Sequence, residues 1–241
     1  FADRRYFDVQ IEYAKQAPDD LLIRMTVTNQ GPDPAEIWLL PTLWFRNTWV
    51  WGCRHEGCSI KPRLAATSDG SVAATHETLG DFRAWFGAHP DGEGRELLFT
   101  ENETNSMALF GTASNTPYTK DAFHRYVIHD EVVAVNAQQH GTKAAAVYKL
   151  MIPPSESRVV VARLASEDPI LEEPFGNNFD NTFAQRISEA EQFYQHVIGE
   201  EANQEQNLVS RQAYAGLLWT KQFYHYIVAD WLAGDHDVAP P

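Results

Sequence analysis

Between residues 6 and 40 the chain repeats one device: a short run alternating apolar and polar side chains, closed by turn-forming residues. Tyr6-Phe7-Asp8-Val9-Gln10-Ile11-Glu12-Tyr13 has the period-two pattern of a half-buried strand. Asp19-Asp20 punctuates it, and Leu21-Leu22-Ile23-Arg24-Met25-Thr26-Val27-Thr28 reads as a second strand. In Asn29-Gln30-Gly31-Pro32-Asp33-Pro34, Gly and Pro supply the dihedrals that a chain reversal needs. A third strand starts near Ala35 and passes through Ile37, Leu39 and Leu40. Strands joined this closely pair antiparallel. Each must bury its apolar face against a second layer, which makes a β-sandwich the expected fold class.

Further strands are expected near Ser71–Glu77, Phe82–Ala88 and Glu96–Thr100, with short helices over Asn102–Leu109 and Lys120–Asp130. Gly141–Ile152 and Ser157–Ala165 read as two long strands separated by Pro153-Pro154. The first carries Ala144, Ala146, Tyr148 and Leu150 on one face.

After about residue 170 the period changes. Phe179, Phe183, Ile187, Ala190, Phe193 and Tyr194 share one broad helical face, with Asn178 or Asp180 as candidate caps and Gly199 as the stop. A second helix is expected over Glu205–Leu232, apolar nearly all round from Ala213 to Trp219. Such a helix needs partners on most sides. The organisation expected is therefore a β-sandwich over residues 1–170, a linker helix over 171–202, and the first helix of a truncated helical domain over 203–241. The start at Phe1 and the end at Ala239-Pro240-Pro241 suggest a piece of a longer polypeptide. By itself the piece would expose Ala213–Leu232 and self-associate through that helix.

Charge and cysteine usage narrow the partners. A formal net charge of −14 opposes binding to nucleic acid through bulk electrostatics. No run of about 20 apolar residues suits a bilayer span, so no membrane partner is expected. Cys53 and Cys58 flank His55, yet a zinc site asks for four ligands in paired spacing, and no metal is expected. Two reduced thiols in a cytoplasmic protein are the default reading, a local disulfide the alternative.

Four segments could carry chemistry. In Leu40–Gly52, Arg46 and Asn47 offer planar hydrogen-bond donors, and Trp49 and Trp51 would point the same way on an extended segment. Aromatic faces stack on sugar rings while Arg and Asn bond hydroxyls; packing at a domain junction is the competing reading. Glu101 and Glu103 are poorly spaced for an acid/base pair, and Thr100 reads instead as a helix cap. Gly141-Thr142-Lys143 lacks the glycine-rich loop of a phosphate cradle and reads as a turn, so no cofactor is expected. On the last helix Lys221, Gln222 and His225 are polar groups among apolar ones, facing either a ligand cleft or an absent domain.

Five stretches, in order along the chain, resemble bacterial glucosidases related to glycoside hydrolase family 63, the family of the processing mannosyl-oligosaccharide glucosidase. They are Tyr6–Val9 with Tyr13–Lys15, Leu39–Trp49, Leu98–Asn105, Gly141–Ala145 and Lys221–Tyr226. The resemblance implies a β super-sandwich followed by an (α/α)6 barrel. It implies inverting hydrolysis of α-glycosidic bonds by two carboxylic acids at the barrel mouth, one protonating the leaving oxygen and the other activating water. Those acids would lie outside these 241 residues, so no catalytic residue is assigned here and the piece alone is expected to be inactive. Carbohydrate is the expected partner, together with the remainder of the same polypeptide. Arg46, Trp49, Trp51, Lys221, Gln222 and Tyr224 are the residues expected to touch substrate. Two rivals remain: a non-catalytic carbohydrate-binding or architectural β-sandwich, and a sugar epimerase using His76, His89 or Glu77.

Overall fold

A computed structural model describes residues 5–51, 60–92, 94–167, 171, 173–199, 202–221 and 228–233. The chain divides into two compact units, Phe1–Gly176 and Asn177–Pro241. It is mainly β, with helices toward the C-terminus.

The first unit opens with a hairpin. Strands β1 (Phe7–Ala17) and β2 (Asp20–Asn29) pair antiparallel from Phe7 opposite Asn29 to Ala17 opposite Asp20. Next come β3 (Ala35–Leu39), β4 (Thr42–Trp44), β5 (Arg63–Ala66), β6 (Val72–His76), β7 (Gly80–Phe86) and β8 (Glu96–Thr100). The short β9 (His140–Gly141) and the long β10 (Lys143–Ile152) and β11 (Ser157–Ser166) complete the set.

They form two sheets. The larger runs β1-β2-β11-β7-β6-β5-β9. The smaller is built on β10, which pairs with β3, β4 and β8. Strands β3 and β4 lie end to end along one edge of β10 in a single register, Ala35 opposite Ile152 and Trp44 opposite Lys143. Pro41 interrupts them because it has no N–H to give, though its carbonyl still accepts from the Ala146 amide at 3.2 Å.

Both sheets contribute to one core. Met25, Val27, Leu64, Val72, Phe86 and Val160 from the larger sheet pack with Phe99, Tyr148, Leu150 and Ile152 from the smaller. The face of β10 carrying Ala144, Ala146, Tyr148 and Leu150 is buried there, as its alternation predicts. Its other face is covered too, since Ala145 and Val147 pack with Leu98 and with Phe123 of a helix. The larger sheet overhangs: Val9, Ile11 and Tyr13 lie on the core side, opposite Val27, Met25 and Ile23, yet are 46%, 47% and 64% exposed.

Two short helices sit between β8 and β9: α1 (Ser106–Phe110) and α2 (Ala122–His129). Sequence placed the start of the first one too early. Thr100 is not a helix cap; it ends β8, fully buried, its hydroxyl donating to the Thr119 carbonyl at 2.9 Å. Asn105 is the cap, accepting from the Ala108 amide.

The second unit holds α3 (Asn177–Ile198), α4 (Gln204–Thr220) and α5 (Val228–Ala233). Asn178 and Asp180 lie inside the first turn of α3, which starts at Asn177, and so do not cap it. Gly199, at φ +90°, does stop it, its amide bonding the Gln195 carbonyl. A full capping box starts α4: Asn203 accepts from the Gln206 amide, and Gln206 accepts from the Asn203 amide. The continuous helix expected over Glu205–Leu232 does not exist. Lys221 leaves helical geometry at φ −77°, ψ 68° and ends α4. Apolar composition ran on past this point, but composition does not fix a backbone dihedral. Leu217 and Leu218 are 63% and 65% exposed on α4. Among the described residues no helix is long and apolar enough to cross a membrane.

Candidate functional site

The carboxylate of Glu103 is buried in the loop after β8 and is held from three directions. The Trp49 indole N–H donates to Glu103 Oε1 at 2.9 Å. Lys61 Nζ donates to the same oxygen at 2.9 Å and lies 3.1 Å from Glu101 Oε2. The Asn115 side chain supplies a further hydrogen bond. Burial alone would push the Glu103 carboxyl up; the bonds from Lys61, Trp49 and Asn115 outweigh it and hold it below the ordinary value. On Lys61, burial pulls the ammonium down, but Glu103 and Glu101 raise it above its ordinary range. This carboxylate pair is therefore clamped on one cation with Glu103 ionised. A general acid needs the opposite, a proton retained near neutral pH. Glu103 is therefore held away from that role, and both carboxylates contact Lys61.

The loop is tied down on both sides. Thr142 Oγ1 donates to Glu101 Oε2 at 2.7 Å and accepts from the Asn102 amide at 2.8 Å. Asn102 Nδ2 donates to the Phe45 carbonyl at 2.8 Å, and Asn47 Nδ2 donates to the Asn102 carbonyl at 3.0 Å. Gly141 is required at this crossing, because a Cβ there would stand 2.2 Å from the Thr100 carbonyl oxygen. Gly141-Thr142-Lys143 is not a turn into a strand: Gly141 ends β9, Lys143 starts β10, and Thr142, the bend between them, is the post to which the acidic loop is moored.

Between these segments opens a polar cleft of about 300 Å³ whose lining includes Arg46, Asn47, Glu103, Thr104, Asn115 and Lys120. It presents guanidinium, ammonium, amide and hydroxyl groups on a backbone fixed by the smaller sheet. The cleft offers hydrogen-bond donors and acceptors to a polar ligand, and its carboxylate, Glu103, is held ionised. A larger cleft of about 630 Å³ lies between α3 and α4, where the Arg211 guanidinium sits 4.8 Å over the Tyr194 ring.

The expected site residues fare differently. Arg46 lines the polar cleft. Trp49 lies behind it, its indole N–H committed to Glu103 and its ring 5.7 Å from Lys61 Nζ. Trp49–Trp51 form a 3-10 turn, not the extended segment expected. The Trp51 side chain, Cys53, His55, Cys58, Gln222, Tyr224 and His225 lie outside the described residues. Lys221 ends α4 in the second unit, exposed. His89 is a loop strut: Nδ1 accepts from the Asp91 amide at 3.2 Å, which leaves Nε2 to donate to the Lys149 carbonyl at 3.1 Å. His76 Nδ1 accepts from the Thr78 amide at 3.2 Å in the turn after β6.

Sequence reasoning did not single out Lys61, Asn115 or Lys120. Nothing local marks them; each joins the site only because distant strands bring it there.

No protein-family model matches the chain. The chain is 36% identical over 271 aligned positions to the Uncharacterized protein YMR196W of Saccharomyces cerevisiae. That similarity covers 99% of this chain and 24% of the yeast protein. The chain thus spans about a quarter of that relative's length.

Proposed function

We propose that these 241 residues are a non-catalytic segment of a glycoside hydrolase, inverting and α-glucosidase-like, that helps to shape its carbohydrate site. One observation supports this most. Three of the stretches that resemble family 63 glucosidases, Leu39–Trp49, Leu98–Asn105 and Gly141–Ala145, are far apart in sequence and bond to one another around a single polar cleft. Arg46 offers its planar donors to sugar hydroxyls there. In this reading the two sheets belong to a β super-sandwich, and α4 opens an (α/α)6 barrel whose further helices carry the catalytic acids. The same resemblance assigns substrate contact to Lys221, Gln222 and Tyr224 as well. In this reading the protein works in the cytoplasm.

The test compares this chain with the product of the complete reading frame. Both are assayed on a panel of α-linked glucose disaccharides, and the first-formed anomer is followed by NMR. Sugar release by the longer protein alone, as the inverted anomer, is expected. A longer protein that cleaves nothing while the 241-residue chain binds sugar would make this a carbohydrate-binding module. Neither cleavage nor binding would leave it architectural.

A further inference from the structure

The side chains of Trp38, Trp44, Trp49, Trp85 and Trp219 are among the described residues. Three of the four in the first unit are committed. Trp38 donates to Glu36 at 3.0 Å under the Lys149 ammonium, 5.2 Å from its ring. Trp49 holds Glu103, and Trp85 is buried. Trp44 is 55% exposed, and among the described residues neither its indole N–H nor its ring has a partner.

Its setting is rigid and specific. Trp44 ends β4 directly opposite Lys143, whose ammonium donates to the carbonyl of the cleft residue Lys120 at 2.7 Å. The ladder continues one residue further, from the Phe45 amide to the Thr142 carbonyl at 3.0 Å. Arg46, which lines the cleft, follows Trp44 by two residues, so their Cα atoms lie at most about 7 Å apart. Thr42 and Arg46, two residues before and after it, are both exposed and polar. Trp44 does not itself line the cleft, but an isolated indole two residues from a cleft-lining arginine does not resemble a protein-docking patch, which is broad and apolar. It matches a pyranose, which has an apolar C–H face and a rim of hydroxyls.

We propose that Trp44 is the stacking platform of the polar cleft, packing the C–H face of an uncharged gluco-configured oligosaccharide whose hydroxyls bond Arg46 and Lys120. This rests on the carbohydrate reading above and adds to it the residue that selects for a ring. Trp49 has no such role, because its N–H and one face are already used.

The experiment titrates the 15N-labelled 241-residue protein with maltotriose and follows the indole N–H resonances. One indole signal should move, and it should be the one missing from Trp44→Phe. Trp44→Ala should weaken binding roughly tenfold, while Trp44→Phe retains most of it through its own ring. Circular dichroism checks that both variants are folded, as expected at an exposed position. If cleft amides shift but Trp44→Ala binds as tightly as the parent, the assignment of Trp44 falls and the carbohydrate reading stands. If neither maltotriose nor any α-linked glucose disaccharide perturbs the spectrum, both fall.

Discussion

The indole nitrogen of Trp49 and the carboxylate of Glu103, 54 residues apart in sequence, are joined by a 2.9 Å hydrogen bond to an oxygen that also carries the Lys61 ammonium. That one atom anchors the loop bearing half of the polar cleft. Removing it by Glu103→Ala leaves an indole N–H and a partly buried ammonium short of a partner. The expected loss is about 2 kcal/mol, typical of a hydrogen bond to a charged group. Urea unfolding measures it, and an unchanged midpoint would mean that Lys61 and Glu101 suffice.

Acid should loosen the same region. The carboxyl of Glu103 lies below its ordinary 4.5, and Thr67 and Ser71 hydrogen bonds bring Asp69 from 3.8 down to about 2. Groups with depressed folded values stabilise the fold above their unfolded values and lose that contribution as pH falls through the folded ones. Stability should therefore decline between about pH 4.5 and 2. Asp69→Asn should flatten the lower part of this decline in acid-unfolding curves, where Asp69 itself takes up its proton.

Gly141→Ala should be costly for a steric reason. The new methyl meets the Thr100 backbone, which cannot swing aside as a side chain would. Overpacking of this kind costs about 1–3 kcal/mol. Gly94→Ala is the control, with open space around it and no positive φ, and its unfolding midpoint should match the parent's.

Arg163 grips Asp20 through two hydrogen bonds of 2.8 and 2.6 Å and also donates to the Pro174 carbonyl at 2.9 Å. Both charged side chains are largely buried, at 5% and 13% exposure. Arg163→Ala strands the Asp20 carboxylate and should cost about 3 kcal/mol or more. It should also raise amide exchange in the Pro174–Gly176 segment, which a purely local defect in the sheet would not.

The exposed Leu217 and Leu218 of α4 predict self-association of the 241-residue chain as its concentration rises. Light scattering should report an increasing mass, and the Leu217→Glu, Leu218→Glu double variant should stay monomeric. A parent protein that is monomeric across the same range would overturn this.

The sequence by itself determined where most of the long strands and α3 form and which face of each is apolar, but not the short β4, β5 and β9. Alternation placed β1, β2 and the inner face of β10, and the 3.6-residue period with Gly199 placed α3, because these signals are local to a few residues. It did not determine what covers a face. Val9, Ile11 and Tyr13 have the pattern of a buried strand side, yet they overhang a smaller sheet that does not reach them. Nor did it determine the end of α4 at Lys221, which depends on one backbone dihedral that apolar composition does not encode. The polar cleft was the least legible part. Its members Arg46, Glu103, Asn115 and Lys120, with Lys61 and Thr142 behind them, meet only after β4, β8 and β10 have paired. A period of two says which way a side chain points, but pairing between strands about 40 to 100 residues apart is decided by packing the whole core.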